Sequence, residues 1–207
     1  MKILVPLILI LLYSCTDRAS DNHNRQESVG KDKILVDSST WAMRLMRLAN
    51  TLNLPRIDKG VDSFELRLWS SLSGTDLQIL TILRFSDSAW CCTESRYWVG
   101  SIDEWGKNRS LYADSVFTRR ILPKTPFNII LDTLNQYELF KLPSQHEIPG
   151  FVDKTADGMN YTLEISTSQS YKVIKYRNPQ YYNDTLNRKI TSLLKFLNHS
   201  INAFVME

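Results

Sequence analysis

The stretch DLQILTILRF, residues 76–85, decides the fold. Read as a strand, it places Leu77, Ile79, Leu83 and Phe85 on one side and Leu80 and Ile82 on the other. A strand that is apolar on both faces is covered on both, so it belongs in the interior of a sheet. Its neighbours in sequence also read as strands. Upstream, SFELRLWS (63–70) alternates Phe64, Leu66 and Leu68 against Glu65, Arg67 and Trp69. The turn signal Ser73-Gly74-Thr75-Asp76 separates the two. Downstream, Ser86-Asp87-Ser88 leads into AWCCTESRYWV (89–99), and SVFTRRIL (115–122) makes a fourth strand. Short turns between successive strands favour antiparallel pairing.

Farther out, the period changes. In 38–53, Trp41, Leu45, Leu48, Ala49 and Leu52 share one helical face, with Ser38 or Ser39 to cap the start and Pro55 to close the end. Residues 126–142, with Pro126 in the first turn, read as a second helix. NYTLEIST and SYKVIKYR (160–177) form a hairpin that closes the sheet. Leu186, Ile190, Leu193, Leu194, Leu197 and Ile201 then mark a long C-terminal helix, with Asp184 as its cap. The expected class is α+β: a mainly antiparallel sheet of about six strands with flanking helices, in one domain over 34–207.

The N-terminus is different. Lys2 precedes an apolar run, Ile3 to Tyr13, that stops at Ser14-Cys15. As a helix that run rises only about 16 Å, whereas a bilayer span needs roughly 20 residues. It has the build of a secretory signal. Leu12-Tyr13-Ser14-Cys15 resembles the lipobox of bacterial lipoproteins. The resemblance implies diacylglyceryl transfer to the Cys15 thiol, cleavage before Cys15 and acylation of the new amino terminus. Tyr13 stands where that pattern has a small residue. Residues 16–33, TDRASDNHNRQESVGKDK, hold no aromatic and too little apolar surface to fold. The expected organisation is a signal peptide at 1–14, a lipid-anchored flexible tether at 15–33, and the folded domain. The implied location is a membrane facing the periplasm or cell surface, by expectation the outer membrane of a Gram-negative bacterium.

The C-terminal half resembles an uncharacterised domain of small bacterial lipoproteins, through Leu142-Pro143-Ser144-Gln145, Asp157-Gly158-x-x-Tyr161 and Tyr176-x-Asn178-Pro179. That resemblance implies a family and no activity.

Charge excludes one class of partner. With 25 basic and 22 acidic residues the net charge is +3, and no basic run occurs, so no nucleic-acid affinity is expected. Cofactor motifs are equally scarce. The chain has seven glycines and no phosphate-binding loop, G-x-S-x-G elbow or H-E-x-x-H pair, and no cofactor is expected.

Four groups are candidate sites. Cys91-Cys92 are adjacent, which suits two small apolar residues better than an ordinary disulfide. DKTADGMNYTLE (153–164) approximates a calcium loop, with Asp153, Asp157 and Glu164 as ligands. The plainer reading is an Asp-Gly turn feeding a strand with Glu164 on its solvent face. His146 and Glu147 form an acid–base pair in a loop and are the candidate catalytic residues. Trp90, Trp98, Tyr181 and Tyr182 are candidates for a ligand-stacking surface. Arg67, Arg84 and Arg96 are expected on a solvated face with cross-strand carboxylates. The expected function is a membrane-anchored envelope lipoprotein with a non-catalytic binding domain. Its partners would be membrane lipid, through acylated Cys15, and an envelope protein or glycan. The alternatives are an envelope hydrolase using the His146/Glu147 loop and a small inhibitor- or immunity-type lipoprotein.

Overall fold

The computed structural model describes residues 40–86, 89–104 and 108–201; side chains are described except at 40–43, 100–112 and 114. The expected signal peptide (1–14), Cys15 and the expected tether (15–33) lie outside the described residues. Helix α1 (Thr40–Thr51) is followed by four strands, β1 (Phe64–Leu72), β2 (Leu77–Ser86), β3 (Ala89–Glu104) and β4 (Asn108–Arg120). Helix α2 (Phe127–Gln136), strands β5 (Met159–Thr167) and β6 (Tyr171–Arg177), and helix α3 (Thr185–Ile201) follow. The strands make one sheet in the order β4-β3-β2-β1-β5-β6, with every neighbour antiparallel. This is the expected α+β architecture, with β2 and β1 at its centre.

Each face of the sheet has its own core. On one, Leu66, Leu68, Leu83, Cys92, Leu163, Ile165 and Ile174 meet Ile130 and Leu134 of α2 and the Ile190, Leu193, Leu194, Leu197 stripe of α3. Asp184 caps α3 as expected, its Oδ1 accepting the Asn187 amide at 2.9 Å. On the other face, Leu45, Leu48 and Ala49 of α1 pack on Trp69, Leu80, Ile82, Tyr97 and Val99. Leu52 is half-buried there; the Trp41 side chain lies outside the described residues.

Three boundaries differ from expectation. Helix α2 stops at Gln136, not 142, because Glu138 takes a left-handed conformation (φ 52°) and the chain tightens into a 3-10 turn at Leu139–Lys141. Strands β3 and β4 run five and seven residues farther into their shared hairpin than the apolar pattern indicates. Ladder pairing carries the backbone through this polar sequence, and the register shifts once, between Arg96 and Trp98, opposite Ser115 (φ 51°).

Candidate functional site

The polar half of β1, expected to face water, is buried instead. Glu65 and Arg67 are each 1 % exposed. The Glu65 carboxylate accepts Arg67 Nε at one oxygen and Arg84 Nε at the other, both at 2.6 Å. Arg84 is Glu65's direct partner on β2, and Glu164 of β5 lies directly opposite Arg67. Arg84, Glu65, Arg67 and Glu164 therefore form a zigzag of alternating charge across three strands.

Local chemistry closes the Glu164 end of this chain of charges. Glu164 accepts Trp69 Nε1 at 2.6 Å and the Tyr171 hydroxyl at 2.8 Å. Burial pushes its carboxyl above the usual range, against the pull of nearby Arg67 and of those two hydrogen bonds. Arg67 also donates through Nη2 to the Pro55 carbonyl at 2.6 Å, and Ser166 Oγ donates to the Ile57 carbonyl at 2.7 Å. These bonds draw the segment after α1 down over the face, which explains why the polar side of β1 and β5 is dry. The expectation of a solvent-facing Glu164 fails here, as does a solvated Arg67, because a loop covers them. Cross-strand pairing with a carboxylate does hold for Arg84.

A recess remains beside Arg67, Glu164 and Tyr171, walled by Met46, Ala49, Ile57 and the Arg56–Asp58 pair. Arg56 donates to Asp58 at 2.5 Å and 2.9 Å, and that bond holds the Asp58 carboxyl below its ordinary value. The cavity volume is about 10 Å³, room for about one water. Its chemistry is that of a structural ion-pair network.

The other candidate residues are dispersed. Glu147 is the N3 residue of a capping box at Gln145–Glu147, accepting the Ser144 amide at 2.5 Å, while His146 is exposed beside it. Asp153 Oδ1 accepts the Thr155 amide and hydroxyl and the Tyr182 hydroxyl at 2.9–3.0 Å. Asp157 is exposed, and Glu164 sits inside the charge network, so the three calcium candidates do not converge. Among the described residues no group of three or more acidic, histidine or cysteine side chains has the geometry to hold a metal ion.

Trp90 stacks on Phe127 at 4.9 Å and 6° and touches Phe64 and Phe85, so it supports the α2 packing. Trp98, on the same face of β3, is 47 % exposed; eight residues of strand put it about 27 Å from Trp90. Tyr181 (68 % exposed) and Tyr182 follow β6, at the other edge of the sheet. Cys92 lies in the core, where burial pushes its thiol up to about 12, and Cys91 is half-buried on the opposite face.

Two groupings escaped the sequence reading. The first is the clamp made by the motif residues. Tyr176 donates to the Pro143 carbonyl, Ser144 Oγ accepts the Lys175 amide, and Gln145 bonds both the amide and the carbonyl of Arg177. Asn178 joins the Met159 amide to the Asp157 carbonyl. The three motif pieces thus meet around one end of the β5–β6 hairpin.

The second grouping is an exposed surface on β3 and β4. Six consecutive strand residues, Ser115–Arg120, are exposed on both faces. Phe117 is 60 % exposed and Val116 49 %. Beside them Arg96 and Arg119 converge on the buried Glu94 carboxylate, at 2.9 and 3.0 Å. A strand reading signals such a surface only by the Arg119-Arg120 pair at an apolar run, and it does not say that the strand ends up at an edge. No protein-family model, curated protein or solved structure matches this chain.

Proposed function

We propose that this chain is a bacterial envelope lipoprotein whose folded domain is a non-catalytic binding module. The anchor is read from Leu12-Tyr13-Ser14-Cys15 after a short apolar run, followed by a segment too polar to fold. Acylation at two points would hold it stably, by expectation on the outer membrane of a Gram-negative cell. The observation that carries the binding reading is the run Ser115–Arg120, exposed on both faces of a strand and holding a largely exposed Phe117. The engagement of Glu147 by the Ser144 amide supports a turn-stabilising role for that carboxylate.

Fractionation tests the anchor. The chain expressed in a bacterial host should partition with membranes, and Cys15→Ser should move it to the soluble fraction. Mass spectrometry of the mature N-terminus should find Cys15 first and acylated. Unchanged membrane retention by Cys15→Ser would sink the anchoring reading.

A further inference from the structure

The two edges of the sheet are treated differently. Strand β6 is an edge, and outward backbone groups at its C-terminal end are occupied: the Lys175 amide by Ser144 Oγ at 3.2 Å, and the Arg177 amide and carbonyl by Gln145 at 2.8 and 3.0 Å. Strand β4 is the other edge. The Ile121 amide donates to the Cys92 carbonyl at 2.8 Å, which sets the phase of the β3–β4 ladder. Residues 117 and 119 then exchange backbone bonds with β3, and the N–H and C=O groups of Thr118 and Arg120 point away from it. Every residue from Ser115 to Arg120 is exposed.

The bulge at Ser115 and the two arginines are devices that discourage indiscriminate edge pairing. They also define what would pair. Val116 and Phe117 present one apolar group to each face, and Arg119 and Arg120 one cation to each face. Arg119 already shares the Glu94 carboxylate with Arg96 and Arg120 adds a third cation, so among the described residues positive charge is in excess here. A second copy of β4 would bring four guanidinium groups into one contact, an arrangement that like-charge repulsion opposes. An incoming strand with carboxylates opposite Arg119 and Arg120 meets complementary charge on both faces.

We propose that the open edge of β4, Val116–Arg120, takes an extended acidic segment of a protein partner by strand addition. This rests on the reading of the domain as a binding module and is independent of how the chain is anchored.

Fluorescence anisotropy on the detergent-solubilised full chain tests it. The probe is a short fluorescein-labelled peptide of alternating valine and threonine with two adjacent central glutamates; its lysine counterpart is the control. The acidic peptide should bind at least about tenfold tighter than the lysine one, and Arg119→Glu with Arg120→Glu should invert that preference. Thr118→Pro removes an outward N–H and no ladder bond, so it should abolish binding while circular dichroism stays unchanged. If Thr118→Pro does not fold, Arg120→Pro measured against Arg120→Ala makes the same test at the next outward position, the alanine variant accounting for the lost charge. Three results overturn the proposal: no preference for the acidic peptide, binding indifferent to the proline variants, or self-association of the chain that Thr118→Pro abolishes. The last assigns the edge to a second copy. None of these outcomes bears on Cys15 fractionation, so failure here and failure of the anchor are separable.

Discussion

The Asn178 carboxamide fills the space in which Gly158 would carry a Cβ. Gly158 has φ +129° and Asn178 φ +44°, so both sit where most side chains are strained. Asn178 Oδ1 accepts the Met159 amide at 2.8 Å and Nδ2 donates to the Asp157 carbonyl at 2.7 Å. One side chain thereby closes the start of β5 onto the end of β6. Gly158→Ala should cost more than about 2 kcal/mol, through steric overlap with Asn178 and backbone strain. Asn178→Ala should cost about 2–3 kcal/mol by leaving two polar backbone groups unsatisfied. Urea denaturation of each variant checks both; a Gly158→Ala protein as stable as the parent contradicts the packing.

The charge network gives a contrast between buried and exposed pairs. Glu65→Ala leaves the buried Arg67 without its 2.6 Å partner and should destabilise by about 3–5 kcal/mol. Breaking the Arg56–Asp58 pair, in which Arg56 is half exposed, should cost no more than about 1 kcal/mol. Double-mutant cycles on the two pairs measure the difference. Equal coupling energies would mean that the face under the loop is wet.

Glu164 makes a pH prediction with a definite sign. Burial raises its carboxyl pKa in the folded state above the ordinary 4.5. Between the unfolded and the folded pKa the native protein binds the extra proton, so stability falls as pH rises through that window and then levels off. Glu164→Gln removes the titration. Its melting temperature relative to the parent should therefore climb as pH increases from 4.5, and thermal scans at matched ionic strength report it. A difference that stays flat, or runs the other way, would show that the Trp69 and Tyr171 bonds outweigh burial.

The adjacent cysteines should behave as unlike groups. Cys92 is 1 % exposed, and its thiol is pushed up to about 12, so it carries almost no thiolate near neutrality. In a Cys15→Ser chain, a thiol-specific chromogenic reagent should leave Cys92 unlabelled until denaturant is added. Cys92→Ala should cost about 1 kcal/mol for the core volume removed. Rapid native labelling of Cys92 would contradict its place under α2 and α3.

Much of this molecule was legible in the sequence because much of it is local. Period-2 alternation marked β1, turn signals delimited its neighbours, and the two-sided apolar character of 76–85 put β2 in the interior. Period 3.6 marked α1 and α3, and Asp184 capped α3 because an N-cap needs only its own next three residues. Candidate chemistry was less legible. The Asp153, Asp157 and Glu164 spacing matched a loop pattern, but strand β5 carries Glu164 away from the other two.

Tertiary structure alone decided the rest. Strand β5 pairs with β1 across almost a hundred residues of sequence, and nothing local specifies that contact. That pairing sets Arg67 opposite Glu164, and the segment after α1 then seals both from water. Alternation says only that Glu65, Arg67 and Glu164 share faces; which face is wet depends on what packs over it. The same holds at the sheet's margins. Ser144 and Gln145 fold back to bond the C-terminal end of β6, whereas β4 keeps Ser115–Arg120, with its aromatic and basic side chains, exposed. Strand character is a property of a few consecutive residues, but being an edge is a property of the whole sheet, and the proposed binding surface follows from the second.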